Sequence, residues 1–363
     1  MQATPLNAWH RANGASMVDF GGWDMPVSYG PIGPEHQATR HEAGLFDIGH
    51  MGQVLVEGPG ALAYLQKITT NDVAALYDGR MQYSLLPNEK GGLHDDIIVT
   101  RRGEERYYVV VNASNTASDL AWMKSQAPAG LTVKLWEGQT LLAIQGPLAQ
   151  ALLQPLVDCD LDSLKYYHLR SDSVLEHAAL ISRSGYTGED GFEISLPAAA
   201  ALQVWEALAH AGAIPVGLGA RNTLRLEAAY PLYGHEIDST TSPYEAGLGW
   251  VVKPDKGDFV GRAGMLMSKE SPVRKLAGFK LIDKGVARDG YPVMDASGQP
   301  IGRVTSGAPS PSLNNACIGL AYLPTEVARP GAVIHIDVRG RALKAEVVKT
   351  PFVSSNVRKN TPA

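Results

Sequence analysis

Two adjacent carboxylates, Asp95 and Asp96, stand at the head of an apolar run, directly after a turn that contains two glycines. Side chains alternate between the faces of a strand, so the run predicts Asp95 on the face of Ile97 and Asp96 on the opposite face. Both faces are largely apolar, and a poorly solvated carboxylate needs a donor, either a backbone amide or a ligand nitrogen. The alternation also indicates that the two carboxylates do not share one site. Residue chemistry alone still favours a simpler interpretation, in which both only cap the turn.

A glycine-rich loop precedes a second candidate carboxylate, Glu193. Three glycines fall within residues 185–191, which predicts a tight irregular loop leading into a strand. In that strand Phe192 and Ile194 share one face, and Glu193 and Ser195 share the other. A carboxylate beside an aromatic ring suits a flat heterocycle with an amidine-like donor pair, such as a pterin. A half-exposed strand with a polar outer face explains the same pattern.

Two arginines, Arg221 and Arg225, are spaced to share one face of a helix expected at residues 218–228. The preceding glycines are not a dinucleotide-binding motif, because Asn222 occupies the third glycine position. A solvated basic face is the alternative interpretation.

Composition excludes several function classes. The formal net charge is −5, which gives no general attraction for nucleic acid or anionic lipid, and no apolar run is long enough to span a membrane. The ten histidines lack metal-binding spacing, and neither a serine-hydrolase elbow nor a phosphate loop is present.

Cys159 and Cys317 fit no redox or metal motif, which favours two reduced thiols. With no signal or transit pattern at the N-terminus, the expected location is the cytoplasm.

The order of the predicted elements divides the chain into regions. Strands at 53–57, 95–100 and 107–111, with helices at 59–68 and beyond a Ser114 cap, predict an α+β module near residues 52–135. A second α+β region follows, with a helix expected at 198–211. Residues 267–275 have the composition of a linker. The short strands beyond it, separated by Gly, Pro and Asn, predict a small antiparallel barrel or sandwich.

The same segments occur in the same order in a known family. They are Thr4-Pro5-Leu6, Phe20-Gly21-Gly22-Trp23, Phe46-Asp47-Ile48-Gly49-His50-Met51, the segments 91–99, 185–195 and 217–227, Leu232-Tyr233-Gly234, and the segment 304–311. Over essentially its whole length the chain resembles the glycine-cleavage T-protein (aminomethyltransferase) family. No single segment is decisive, but their shared order is specific.

The resemblance implies an α+β fold, a three-domain cloverleaf of two α+β folate-binding domains and a C-terminal antiparallel β-barrel. Residues 1–51 and 136–266 would form one discontinuous folate-binding domain, 52–135 an inserted α+β domain, and 275–363 the barrel. The implied reaction takes the methylene carbon of an aminomethyl-dihydrolipoyl carrier, the H-protein, to tetrahydrofolate. Ammonia is released and 5,10-methylenetetrahydrofolate is formed.

Carried over position by position, the resemblance makes Asp95 the catalytic carboxylate and Asp96 a structural one. A positioned carboxylate can orient an attacking amine and stabilise the positive charge that develops. Glu193 matches the residue that grips the pterin's amino and ring N–H groups, and Arg221 matches a basic residue at the folate site. The residues that match the pocket lining are Met51, Tyr83 and Tyr186, and more weakly Tyr166 or Tyr167. No metal is expected.

The sequence departs from the family pattern at a few positions. Gly49 stands where the family often has Ser, and Ala229 where it often has Gly. Asn222 stands where it often has Asp, so a charge pairing that would orient Arg221 is expected to be weaker. The extreme C-terminus matches poorly, which leaves the role of Arg358 open.

Two other functions would use the same fold. A folate-dependent demethylase of a small methylated sulfur or nitrogen compound would keep the folate site and change the donor pocket. A folate-binding protein related to iron–sulfur cluster maintenance typically carries a cysteine in a Lys-Gly-Cys motif, and neither Cys159 nor Cys317 lies in one.

Overall fold

The structure is a computed structural model that describes residues 1–359. Residues 360–363, the end of the expected barrel domain, lie outside the described residues. In the described part the strands are β1 (Ser16–Phe20), β2 (Trp23–Ser28), β3 (Gly44–Asp47), β4 (Gly52–Glu57), β5 (Met81–Pro87), β6 (Leu93–Gly103), β7 (Arg106–Val111), β8 (Thr132–Leu135), β9 (Gln139–Gln145), β10 (Leu169–Val174), β11 (His177–Ser182), β12 (Gly191–Pro197), β13 (Ile214–Pro215), β14 (Arg274–Leu281), β15 (Pro292–Met294), β16 (Pro300–Ser310), β17 (Ala316–Pro324), β18 (Val333–Val338) and β19 (Arg341–Val348).

The helices lie mostly between these strands. They are α1 (Asn7–Ala12), α2 (Ile32–His41), α3 (Ala61–Ile68), α4 (Thr116–Gln126), α5 (Ala149–Leu153), α6 (Ala201–His210), α7 (Leu218–Glu227) and α8 (Arg262–Glu270). Among residues 1–359, no helix combines the length and the apolar character that a membrane crossing requires.

Three sheets organise the described chain, beside a small β1–β2 hairpin. A five-stranded sheet has the order β5-β6-β7-β4-β8, and a six-stranded sheet has the order β10-β11-β12-β9-β3-β13. Strands β14 to β19 close into a six-stranded antiparallel barrel. The predicted α+β class and the C-terminal barrel are confirmed.

The six-stranded sheet takes β3 from before residue 52 and its other strands from after residue 136. A sheet built from strands on both sides of residues 52–135 is what a discontinuous domain would have. The domain boundaries themselves stay a prediction. Its core packs α6 against the sheet, with Trp205 and Phe192 fully buried. Truncating a buried aromatic of this size typically costs about 3–5 kcal/mol, so these residues anchor the sheet that carries Glu193.

Buried contacts join the two α+β sheets to each other. The Gln53 side chain on β4 accepts hydrogen bonds from Tyr108 Oη on β7 (2.8 Å) and from Ser195 Oγ on β12 (2.5 Å). All three residues are buried, so the five- and six-stranded sheets are fixed relative to each other at this point. Glu193 lies two residues from Ser195 and therefore lies on the same side of β12.

Two local expectations were wrong. The expected linker at 267–275 is half helical, because α8 continues to Glu270 and buries Met265 in a core cluster with Phe259 and Leu85. The Ser114 side chain does not cap α4, which begins at Thr116 after a 3₁₀ turn and has no side-chain cap. In both places tertiary packing, rather than local composition, sets the element.

Candidate active site

The turn before β6 requires its glycines. Gly91 has a φ of +89°, in the left-handed region that glycine adopts without a Cβ penalty. At Gly92 a Cβ atom would lie 2.0 Å from the carbonyl oxygen of Ser239. This close approach holds the segment after α7 against the start of β6, where Asp95 and Asp96 follow.

Asp95 is fully buried and surrounded by donors. Its Oδ2 accepts from the backbone N–H of Asn112 at 2.8 Å, and its Oδ1 accepts from the side-chain amides of Asn112 and Asn115, each at 2.8 Å. Burial raises the pKa of Asp95, and these donors act in the opposite direction. As expected from strand alternation, Asp95 lies on the buried face of β6 with Ile97.

Asp96 is half-buried and lies on the other face of β6. Its Oδ2 accepts from Tyr83 Oη at 3.0 Å, and its Oδ1 accepts from Asn112 Nδ2 at 2.8 Å. Burial, followed by the charge of Asp95, raises the pKa of Asp96 to about 7. Because Asn112 Nδ2 donates to both carboxylates, the expectation that the pair does not share one site was wrong.

Asn112 and Asn115 did not emerge from the sequence as site residues. Strands β6 and β7 pair antiparallel, with Ile98 opposite Val110, so the chain that leaves β7 returns beside the start of β6. The available signal was a pair of asparagines just after an apolar strand. That strand forms a hairpin with the strand that carries the two aspartates. Their amides supply the donors that a buried carboxylate requires.

Tyrosines line the side of the site that Asp96 faces. Tyr83 stacks on Trp250 with ring centroids 5.9 Å apart, and Tyr186 stacks on Tyr230 at 5.8 Å. Burial is the first cause that raises the pKa of Tyr83 and of Tyr186, and the charge of Asp96 contributes to both. Two of the expected pocket residues, Tyr83 and Tyr186, therefore lie within electrostatic reach of one carboxylate.

Arg221 and Glu193 face this same group of tyrosines. The Arg221 guanidinium lies 4.7 Å from the Tyr186 ring centroid, and no described acidic side chain pairs with it. Burial lowers the pKa of Arg221, while Tyr186 and Glu193 oppose that effect. Glu193 Oε2 accepts from Ser184 Oγ at 2.6 Å, and its charge also contributes to raising the pKa of Tyr167.

The second arginine of α7 has a different role. Arg225 is buried, with Nη1 2.9 Å from Glu236 Oε2 and Nη2 2.7 Å from Ser306 Oγ of the barrel. Asn222 accepts from Arg225 Nε at 2.9 Å, so its amide serves Arg225 rather than Arg221. The helix therefore places Arg221 toward the tyrosines and uses Arg225 to attach the barrel.

The glycine-rich loop is fixed by buried polar contacts. A Cβ at Gly185 would lie 1.8 Å from Gln145 Oε1, which accepts from Thr187 Oγ1 at 2.9 Å. Arg40 Nη1 donates to the Thr187 carbonyl and to Glu189 Oε1, at 2.7 and 2.8 Å. The loop before Glu193 is thus held by two elements, β9 through Gln145 and α2 through Arg40.

Met51 and His50 lie on the α7 side of the site. Met51 packs, together with Val110, against the apolar cluster that contains Leu224 and Phe46. His50 is buried, its Nδ1 has no hydrogen-bond partner among the described residues, and burial followed by the charge of Arg221 lowers its pKa to about 4. His50 is therefore neutral at physiological pH, and no sequence pattern predicts its position beside Arg221.

Arg358 lies at the surface and pairs with Asp162 at 2.7 Å. Its backbone N–H donates to Asp190 Oδ1, within the glycine-rich loop. Within residues 1–359, no group of three or more His, Cys, Asp or Glu side chains is arranged to hold a metal ion.

Fold and site together define a protein of two joined α+β sheets and a closed barrel, with paired carboxylates beside a tyrosine-lined surface. The GCVT N-terminal domain model matches residues 6–256, and the glycine cleavage T-protein C-terminal barrel domain model matches residues 274–354. The chain belongs to the glycine-cleavage T-protein family.

Individual relatives agree over almost the full length. An aminomethyltransferase of Chloroherpeton thalassium is 46% identical over 98% of this chain and 100% of its own, and one of Geobacillus thermodenitrificans is 47% identical over 97% and 98%. The crystal structure of glycine cleavage system aminomethyltransferase T from Bartonella henselae superposes with a TM-score of 0.94 at 36% identity, covering 99% of both chains.

Proposed function

We propose that this chain is an aminomethyltransferase of the glycine cleavage system. It would take the methylene carbon of an aminomethyl group carried on the dihydrolipoyl arm of the H-protein and pass it to tetrahydrofolate, with release of ammonia. The relatives named above, which match along the whole chain, support this assignment. The observation that carries it is the shared donor Asn112, which joins Asp95 and Asp96 beside a surface lined by tyrosines.

For the folate, we propose recognition by Glu193 and Arg221 against the tyrosine faces. A carboxylate accepts paired N–H donors, which is the pattern that a pterin presents. Arg221 has no described acidic partner, so its charge is available to an anionic group or to a polarised carbonyl. Tyr186, with Tyr83 and Met51, supplies apolar surface for a ring that would otherwise remain in water.

The two carboxylates have different surroundings, and these support different roles. The family resemblance predicts Asp95 beside the reacting carbon, but each of its oxygens already accepts hydrogen bonds from the half-buried Asn112 and Asn115. Asp96 faces the tyrosines and retains accessible surface. We therefore propose that Asp96 contacts the reacting groups, and that Asp95 acts through its charge and through its hold on Asn112. A positioned carboxylate would stabilise the positive charge that develops as the carbon is transferred to an amine.

The test is ammonia release from an aminomethyl-lipoyl H-protein, measured with and without tetrahydrofolate. We expect release that depends on tetrahydrofolate, and equal amounts of ammonia and methylene-folate product. Turnover of free methylated sulfur or nitrogen compounds, with none from the loaded carrier, would instead identify a demethylase.

Variants assign the carboxylates. We expect Asp96→Asn to abolish turnover at every pH and Asp95→Asn to retain a measurable rate. Asp258→Asn makes the same chemical change at an exposed position and serves as the matched control. If Asp95→Asn abolishes turnover while Asp96→Asn retains it, Asp95 is the carboxylate at the reacting carbon.

The cytoplasm is the compartment that we propose. Cys159 and Cys317 are both free and buried, as expected for a protein in a reducing environment. Cell fractionation with an antibody to the chain tests this proposal.

A further inference from the structure

A third carboxylate, Asp119, meets the pair at the start of β6. It lies in the first turn of α4 and is only 1% exposed. It lies one helical turn beyond Asn115, whose side-chain amide donates to Asp95 Oδ1, and its own Oδ2 receives no donor from any described residue. The glycine-cleavage assignment uses Asp95 and Asp96 and leaves Asp119 without a role.

A hydrogen bond between two carboxyl groups requires a proton on one of them. Asp95 already accepts three N–H bonds, from the backbone and side chain of Asn112 and from the side chain of Asn115. Such donors favour the ionised form of the group that accepts them. Asp119 has no comparable set of donors, so the proton is more stable on Asp119 than on Asp95.

We propose that Asp119 is a positioning residue that holds a proton and donates it as a hydrogen bond to Asp95. Asp95 is then an anion with four donors, and it holds both protons of the Asn112 amide toward the β6 carboxylates. Because Asn112 Nδ2 also donates to Asp96 Oδ1, the Asp119 proton fixes the orientation of Asp96 indirectly. This inference rests on the proposed function only where it concerns turnover.

Electrostatics support the protonated state. Burial, followed by the charges of Asp95 and Asp96, raises the pKa of Asp119 to about 10. Tyr233, which follows α7, also interacts with Asp119, and its pKa is raised to about 12, first by burial. On β6, His94 lies against Trp122 of α4 with ring centroids 4.8 Å apart, and burial lowers its pKa. No described cation of β6 or of the segment after α7 forms an ion pair with Asp119, so Asp119 keeps its proton at neutral pH.

Infrared spectroscopy detects that proton directly. At pH 8 we expect the wild-type protein minus Asp119→Asn difference spectrum to contain the carbonyl stretch of a protonated carboxylic acid. Asp258→Asn, the exposed control, should give no such band. The proposal is overturned if the wild-type band is absent, or if it persists unchanged in Asp119→Asn.

Turnover tests the positioning role. Asp119→Leu removes the donor, and we expect kcat to fall roughly 10- to 100-fold, since a misplaced reacting group costs about this much. Asp119→Asn retains an N–H donor at the same place and should recover most of the loss. Equal kcat values for Asp119→Leu and the wild type would overturn the positioning role. Because the infrared experiment requires neither carrier nor folate, it still decides the proton's location if the leucine variant does not fold or if the proposed reaction is wrong.

Discussion

Tyr83→Phe removes a single hydrogen bond to Asp96 and tests whether that carboxylate must be ionised. In the structure Tyr83 Oη donates to Asp96 Oδ2 at 3.0 Å, and this bond lowers the Asp96 pKa against the larger effect of burial. A hydrogen bond to a charged group contributes about 1.5–3 kcal/mol, and about 1.4 kcal/mol corresponds to one pKa unit. Loss of the hydroxyl should therefore raise the Asp96 pKa by about one unit or more.

The sign and size of the effect on activity follow from the pKa of Asp96, which is about 7. At pH 7 roughly half of the wild-type molecules would carry an ionised Asp96, against about a tenth after a shift of one unit. The kcat at pH 7 should fall about fivefold, and the loss should largely disappear at a pH about two units higher.

The assay is the pH dependence of tetrahydrofolate-dependent ammonia release, with Tyr291→Phe in the barrel as the matched control. Asp95→Asn provides the opposite perturbation, because it removes the charge that is the second cause of the raised Asp96 pKa. Its acid limb should move to lower pH. If Tyr83→Phe lowers kcat by the same factor at every pH, the ionisation of Asp96 does not limit the reaction.

Two further predictions concern folate recognition and stability. Glu193→Gln and Arg221→Met should raise the KM for tetrahydrofolate more than they lower kcat, measured at saturating carrier; unchanged KM values would remove both residues from the folate site. Glu236→Gln should destabilise the protein by about 3–5 kcal/mol in denaturant unfolding, because it leaves Arg225 buried without its counter-charge. Glu270→Gln, an exposed counterpart, should unfold like the wild type, and an equally stable Glu236→Gln protein would show that the ion pair contributes nothing.

The two faces of β6 show what the alternation of residues along a strand can and cannot predict. Alternation along a strand is a geometric property of the backbone, so the opposite orientations of Asp95 and Asp96 were predictable. Their shared donor was not, because Asn112 reaches both carboxylates only once β7 has paired with β6. The correct local prediction therefore led to a wrong conclusion about the site.

For the two arginines of α7 as well, the charged partners could not be predicted from the local sequence. Spacing places Arg221 and Arg225 near each other on the helix, and spacing alone does not separate their roles. The barrel brings Ser306, and the segment after α7 brings Glu236, to Arg225 alone. Arg221 is left facing Tyr186 without an acidic partner.

The sequence by itself determined the α+β class, the C-terminal barrel and the family, and it named Asp95, Glu193 and Arg221 as candidate site residues. Hydrophobic periodicity, turn residues and the order of motifs depend only on residues close together in the chain, so the sequence alone shows them. Only the tertiary structure decided that Asp95 is enclosed by donors, that Asp96 faces the tyrosines, and that Asp119 completes the cluster. The environment of a buried charge is set by groups distant in sequence, and these become neighbours only when strands pair and helices pack.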